Sequence, residues 1–221
     1  MNPSRLLLLR VAKISDYESV LEFLRKHFYA YDVFGSDSNS QSAEDEENEM
    51  KAIDSGASVL AFTEGKLVGA SLAVNFTEES CRENLQRLQK ISEQRGFPND
   101  LDGVIFIEEM KLRSEVCRRF GVKEACYMSL MCVHEDFRKL SLSNILLQKN
   151  LECVAELRYK VAFSLCISEI GHIFGKSTNF QPFYQVNLVD YQDFRGLNVF
   201  SHFPPDAKAT VMFKLIGGNK L

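Results

Sequence analysis

The run "ACYMSLMCV", residues 125–133, constrains the fold more than any other stretch. It is apolar almost throughout, with Ser129 as the break, and it shows no amphipathic period. A strand with that pattern is buried on both faces, so layers must cover it on each side. Around it lie further apolar strand runs alternating with helical ones, which predicts a mixed α/β (α+β) fold with helices on both faces of a central sheet.

The other elements follow from local signals. "RLLLLRVA" reads as the first strand. Ser15 and Glu18 fit a capping box, and the helix it opens runs to about His27. "YAYDVFGSDSNS" is a polar loop. "AEDEENEMKAID" is an acidic helix, stopped at Gly56 and read as a solvated face. The runs 58–63 and 66–75 flank Glu64-Gly65 as a hairpin. Residues 80–96 and 101–120 read as two helices parted by "GFPND". After the buried strand come a helix from "LSNILLQKNLECVAELR", a strand from "VAFSLCI", a helix from "GHIFGKSTNF", and terminal strands from "FYQVNLVDY" and "KATVMFKLI". The sheet therefore has about seven strands. No linker or repeat divides the chain, so residues 1–221 are expected to form a single domain.

Composition narrows the function. The 221 residues are 45% hydrophobic and 25% charged, an ordinary globular balance. The net charge is −4, without a basic patch, which argues against a nucleic-acid partner. No run approaches the about 20 apolar residues of a membrane span. "RLLLLR" is too short for a signal-peptide core. The six cysteines, 81, 117, 126, 132, 153 and 166, form no C-x-x-C pair and sit mostly in apolar runs. They read as reduced thiols of a cytoplasmic protein, and Cys132 as an inert buried one. No metal site is expected.

"VHEDFRKLSLSN", residues 133–144, runs from the buried strand through Arg138-Lys139 into a helix. That order resembles the acetyl-CoA loop of the GNAT superfamily of N-acetyltransferases, V-x-P-x-Y-R-G-x-G-x-G/A. The matching residues are Val133, Glu135, Phe137, Arg138, Lys139, Ser141 and Ser143, with serines in place of glycines. "DYQDFRGLNVF", residues 190–200, with the following "PPDAKATVMFK", resembles the tail of the insect arylalkylamine N-acetyltransferases of the dopamine type. "LRKHFYAYDVF" is similar to their "FFPDEPL" segment.

The resemblance implies the GNAT fold, with a sheet splayed where acetyl-CoA binds. It implies a small primary amine as the second partner, whether arylalkylamine, polyamine or agmatine-like, and a monomer or weak dimer. The pantetheine arm would pair with the main chain of Met131, Cys132 and Val133. The pyrophosphate would sit in the turn from Arg138 through Lys139, Ser141, Leu142 and Ser143 to Asn144, facing a helix N-terminus. Serines can serve in such an anion cradle if the backbone stays out of the left-handed region. The family's carboxylate base maps to Asp32, with Phe28 and Tyr31 lining the amine pocket. Its "CSSHYS" serines map to "CISEIG", where Ser168 is kept and Gly171 replaces the last. Its tyrosine acid maps to Gly175, and His172 lies nearby as a titratable group. These departures raise an alternative: an acyl-CoA-binding descendant with little or no catalysis.

Overall fold

A computed structural model describes residues 6–29, 43–138 and 141–217. The chain divides into two compact units, each built from two stretches: residues 1–75 with 126–160, and 76–125 with 161–221.

The first unit carries four strands in the order β1 (Leu7–Val11), β2 (Val59–Thr63), β3 (Lys66–Phe76) and β4 (Ala125–Val133). β1 pairs with β2, and β2 with β3, antiparallel. The hairpin turn is as the sequence predicts: Glu64 and Gly65 both take positive φ, +50° and +74°, which matches the twist of the flanking strands. Helices α1 (Tyr17–His27) and α2 (Ala43–Met50) follow β1, and α6 (Leu142–Glu156) follows β4. Val20, Leu24, Met50 and Ile53 pack with Leu60, Leu72, Leu130 and Cys132. Val59, Ala61, Val68 and Val133 pack with Leu142 and Leu146 of α6. The two clusters contain Cys132 and Val133, neighbours on β4, so both faces of that strand are covered, as its composition requires.

The second unit holds α3 (Glu78–Gln94), α4 (Asp102–Ser114), α5 (Val116–Phe120) and α7 (Glu169–Ser177). Its strands β5 (Val161–Cys166), β6 (Gln181–Asn187) and β7 (Lys208–Leu215) lie in the order β5-β7-β6, all antiparallel. Leu85 and Leu88 of α3 pack against Leu101, Val104 and Ile105. Among the described residues no helix is long and apolar enough to cross a membrane.

Two local expectations fail for physical reasons. Ser15 caps nothing: residues 14–16 form a 3₁₀ turn, and α1 starts at Tyr17. The polar work falls to the stronger acceptor, Asp16. It takes the Lys13 N–H at 2.8 Å and both guanidinium nitrogens of Arg10 at 2.6 Å. The helix predicted over 101–120 breaks at Glu115, whose φ of +52° ends α4 and starts α5.

The Arg10–Asp16 pair ties β1 to the start of α1. The Arg10 guanidinium holds the Asp16 carboxyl below its ordinary range. A depressed carboxylate stabilises the fold above its unfolded value of about 3.9 and stops doing so as pH falls through the folded value. Asp16→Asn should therefore cost about 1–2 kcal/mol at pH 7, and the two proteins should converge in stability as the pH drops below about 4. Urea denaturation across that range measures it.

Candidate active site

β4 ends at Val133 and the chain turns at once. The His134 N–H donates to the Val68 carbonyl on β3 at 3.0 Å. A 3₁₀ turn, Glu135–Phe137, follows, and its two acidic side chains are exposed. Arg138 folds back, its Nε donating to the Val133 carbonyl at 3.2 Å. One of the backbone acceptors assigned by sequence to the pantetheine arm is thus engaged by the arginine assigned to the pyrophosphate. Lys139 lies outside the described residues.

Ser141 precedes α6 with φ +59° and ψ +12°, the left-handed region. The condition set from sequence for a serine anion cradle, a backbone outside that region, is therefore not met at Ser141. A glycine-type backbone is present with a serine in it. The Ser141 side chain makes no capping hydrogen bond to the N–H groups that open α6 at Leu142, Ser143 and Asn144. A helix N-terminus in that state, at the end of a central strand, is an anion site in form. Ser143 differs from Ser141: it lies inside the helix.

The seat of α6 is fixed by residues the sequence did not single out. A Cβ at Gly69 on β3 would fall 2.8 Å from Leu146 and 3.4 Å from Leu142, so glycine is what allows the close approach. Asn150, fully buried, donates to the Ala57 carbonyl and accepts from the Ser71 hydroxyl. An asparagine within an apolar helix run was the available signal for it. On β4, Met131 is half-buried while Cys132 and Val133 are buried. Burial pushes the Cys132 thiol up to about 12, against the pull of Arg138. A buried thiol held in its neutral form is a poor nucleophile, as read from the sequence.

Phe28 and Tyr29, just past α1, pack against the core of the first unit. Tyr31 and Asp32 lie outside the described residues. His27, at the last turn of α1, sets its ring 4.4 Å from His134. Burial, then the neighbouring His134, lowers its affinity for a proton. The acidic helix α2 is not simply a solvated face. Glu46 is gripped by Arg25 of α1 at 2.6 Å, and Glu49 accepts from the Ser129 hydroxyl of β4 at 2.7 Å.

In the second unit, Ser168 is the N-cap of α7, accepting from the Gly171 N–H at 3.1 Å. His172 bridges two groups at 2.8 Å each, the Ser168 carbonyl at Nδ1 and the Thr210 hydroxyl at Nε2. A carbonyl only accepts, so Nδ1 carries a hydrogen. In the neutral ring Nε2 then accepts from Thr210, whose oxygen accepts in turn from Gln185 at 2.9 Å. His172 thereby straps α7 to β7. A Cβ at Gly175 would meet Met212 Sδ at 2.6 Å and Cys166 Sγ at 3.6 Å, so methionine fills the space where the resemblance places a tyrosine.

The C-terminal motif is architectural. Asp193 accepts the backbone N–H groups of Arg195 and Leu197, each at 2.9 Å, and so shapes the "DFRG" turn. Tyr191 and Phe200 stack 5.5 Å apart, and each meets Phe106 of α4 edge-on. Arg195 reaches Asp102 at the start of α4, whose carboxyl burial raises to about 6.

No protein-family model and no curated protein matches this sequence. Solved structures do. An arylalkylamine N-acetyltransferase-like protein 5b of mosquito has 21% identity and a TM-score of 0.80, over 95% of this chain and 100% of its own. The Drosophila melanogaster polyamine N-acetyltransferase, which catalyses the formation of N-acetylagmatine, has 18% identity and a TM-score of 0.84, over 95% and 100%. Arylalkylamine N-acetyltransferase 2 of Aedes aegypti has 21% identity and a TM-score of 0.77, over 96% and 99%. The chain has the fold of these proteins over nearly its whole length, the fold the sequence motifs led us to expect.

The two loop serines should now behave oppositely. Left-handed backbone costs an L-residue about 1–2 kcal/mol, partly offset by the entropy glycine loses on folding. Ser141→Gly should stabilise by about 0.5–1 kcal/mol. Ser143→Gly, inside the helix, should destabilise by about 0.5–1 kcal/mol. Paired melting curves test the contrast, and equal shifts would count against it.

Proposed function

We propose that this protein is an acetyl-CoA-dependent N-acetyltransferase acting on a small primary amine. The observation that carries the reading is the opening of α6: a helix N-terminus without a side-chain cap, entered through a left-handed residue, directly after the central strand of a chain with an N-acetyltransferase fold. The residues suit an anionic cosubstrate. The N–H groups of Leu142, Ser143 and Asn144 supply donors, and Arg138 supplies positive charge within reach of the strand end. Glu135 and Asp136 oppose it, but both point their charge into solvent. When bound, acetyl-CoA supplies an acetyl thioester, to which the main chain of Met131 to Val133 is the proposed partner.

The chain's own chemical task is to deliver the amine unprotonated. An alkylamine with a pKa of about 10.4 costs about 4 kcal/mol to deprotonate at neutral pH. We assign that proton to the Asp32 carboxylate, directly or through water. Phe28 and Tyr31 are the proposed walls of the amine pocket. Ser168 and His172 keep α7 in place, and their part in the reaction is proposed as positioning.

Gly175, closed off by Met212, favours a second reading, an acyl-CoA-binding protein of low turnover. A thermal-shift titration with acetyl-CoA, followed by thiol release over an amine panel, separates the two; binding with no turnover of any amine selects the second. Under the first reading, Asp32→Asn should lower kcat by about 10²–10⁴-fold with acetyl-CoA affinity retained. Arg138→Ala should instead weaken acetyl-CoA binding by about 1–3 kcal/mol. An Asp32→Asn protein with unchanged kcat would remove the base from that residue.

A further inference from the structure

A row of four rings in the first unit ends beside the loop end of β4. Phe23, in the core, stands 4.9 Å from His27, and His27 stands 4.4 Å from His134. His134 in turn meets Phe137 edge-on at 5.9 Å. Phe23 and His27 belong to α1, while His134 and Phe137 bracket the turn that leaves β4. The two imidazoles therefore join α1 to the start of the candidate cosubstrate loop.

The hydrogen bonding of His134 fixes its protonation state. Its Nδ1 lies 3.2 Å from the backbone nitrogen of Asp136, whose N–H can only donate. Nδ1 is therefore bare, and the ring hydrogen sits on Nε2. In this form the side chain caps the 3₁₀ turn Glu135–Phe137, while the His134 N–H is anchored on the Val68 carbonyl. A proton on Nδ1 would set two N–H groups against each other. The ring would then turn away toward the Asp136 carboxylate, whose Oδ2 is 3.8 Å from Nδ1. The stack works against that proton, because two half-buried cations with ring centres 4.4 Å apart repel. Of the charged groups around the pair, Lys26 of α1 and Arg138 oppose a proton at His27, and Glu135 favours it. Burial weighs more than any of these and also favours the neutral ring.

We propose that His134 is a positioning residue of the cosubstrate loop that works only as a neutral imidazole stacked on His27, so that acidification uncaps the turn and weakens acetyl-CoA binding. The inference rests on the acetyltransferase reading for its ligand and on the two rings for its switch. A pair that must be neutral is fully competent above the imidazole reference of about 6.5 and loses competence as the pH falls below it. The effect falls on KM for acetyl-CoA and leaves kcat to Asp32, so the two residues separate by experiment.

The test starts with the ligand-free protein, by hydrogen exchange followed by NMR at about pH 7.5 and about pH 5.5. Relative to its intrinsic rate at each pH, the Asp136 amide should lose about tenfold in protection at the acid end. In His134→Asn, whose side-chain oxygen caps without titrating, protection should be the same at both. Calorimetry with acetyl-CoA at the same two pH values should show wild-type affinity falling about tenfold on acidification, and by less in His134→Asn. Both proteins share the titration of the cosubstrate's own phosphates, so the difference isolates the ring. His134→Phe keeps a ring without the acceptor and should bind about tenfold more weakly at both pH values. His27→Phe removes the second cation and should move the wild-type loss to higher pH. Identical pH profiles for wild type and His134→Asn, or wild-type binding that tightens on acidification, would overturn the inference while the transferase reading stands. Absence of acetyl-CoA binding at either pH would sink the transferase reading and this one with it. Should His134→Asn lose its cooperative melt, Asp136 protection in the wild type decides: equal protection at both pH values overturns the switch.

Discussion

A missing methyl group governs the loop end of β4. Position 69 has no Cβ, and one placed there would press into Leu146, a residue with no exposed surface, and crowd Leu142. Helix α6 can therefore lie against β3 without the Leu146 side chain having to move aside. Asn150 then fixes it in rotation, since its fully buried amide meets both Ala57 and Ser71. A helix held by shape on one turn and by buried hydrogen bonds on another has little freedom to slide. Its N-terminus is accordingly a fixed point in the first unit, and the turn from Val133 must reach it.

That requirement accounts for the backbone of Ser141. The chain leaves β4 under two restraints: the His134 N–H is bonded to Val68, and the Arg138 side chain is bonded to the Val133 carbonyl. It arrives at a helix that cannot move. A residue between two fixed ends takes the conformation the geometry dictates, even where its side chain resists it. The glycine-rich pattern thus survives as conformation at 141 although it is absent as composition. Ser143, the second residue of the helix, has no such demand on it, so its side chain carries no comparable strain.

The elements governed by local chemistry were legible in the sequence. Glu64-Gly65 announced the hairpin, the unbroken apolar run announced the central strand, and "GFPND" ended a helix with Gly96 and Phe97 both at positive φ. What escaped was set by distant partners. Asn150 bonds to residues 79 and 93 positions away, and Ser129 to one 80 positions away. Nothing near them in sequence carries that information. Ser15 was misread because a nearby aspartate, recruited by Arg10, outcompetes a hydroxyl. The strand, turn and helix order of the candidate site was legible as well, from the order of its residue types. Its division of labour was not, because Arg138 spends a nitrogen on Val133 and the C-terminal motif builds a turn around Asp193 rather than a site.

The departures from the acetyltransferase pattern are unequal in consequence, and magnitudes show why. An amine nucleophile with a pKa of about 10.4 must lose a proton at a cost of about 4 kcal/mol at neutral pH. A thiol leaving group has a pKa of about 8.5, so expelling it as thiolate rather than thiol at neutral pH costs about 2 kcal/mol. A missing acid therefore withholds about half of what a missing base would. Met212 filling the space beside Gly175 removes the option of a tyrosine there and confines the second unit's polar groups near α7 to capping and strapping. A protein arranged in this way can still transfer an acyl group if its carboxylates are well placed, and it would depend on them more heavily than one that also holds an acid. Under the proposed reading the chemistry would concentrate in the first unit, to which the sequence assigns Asp32.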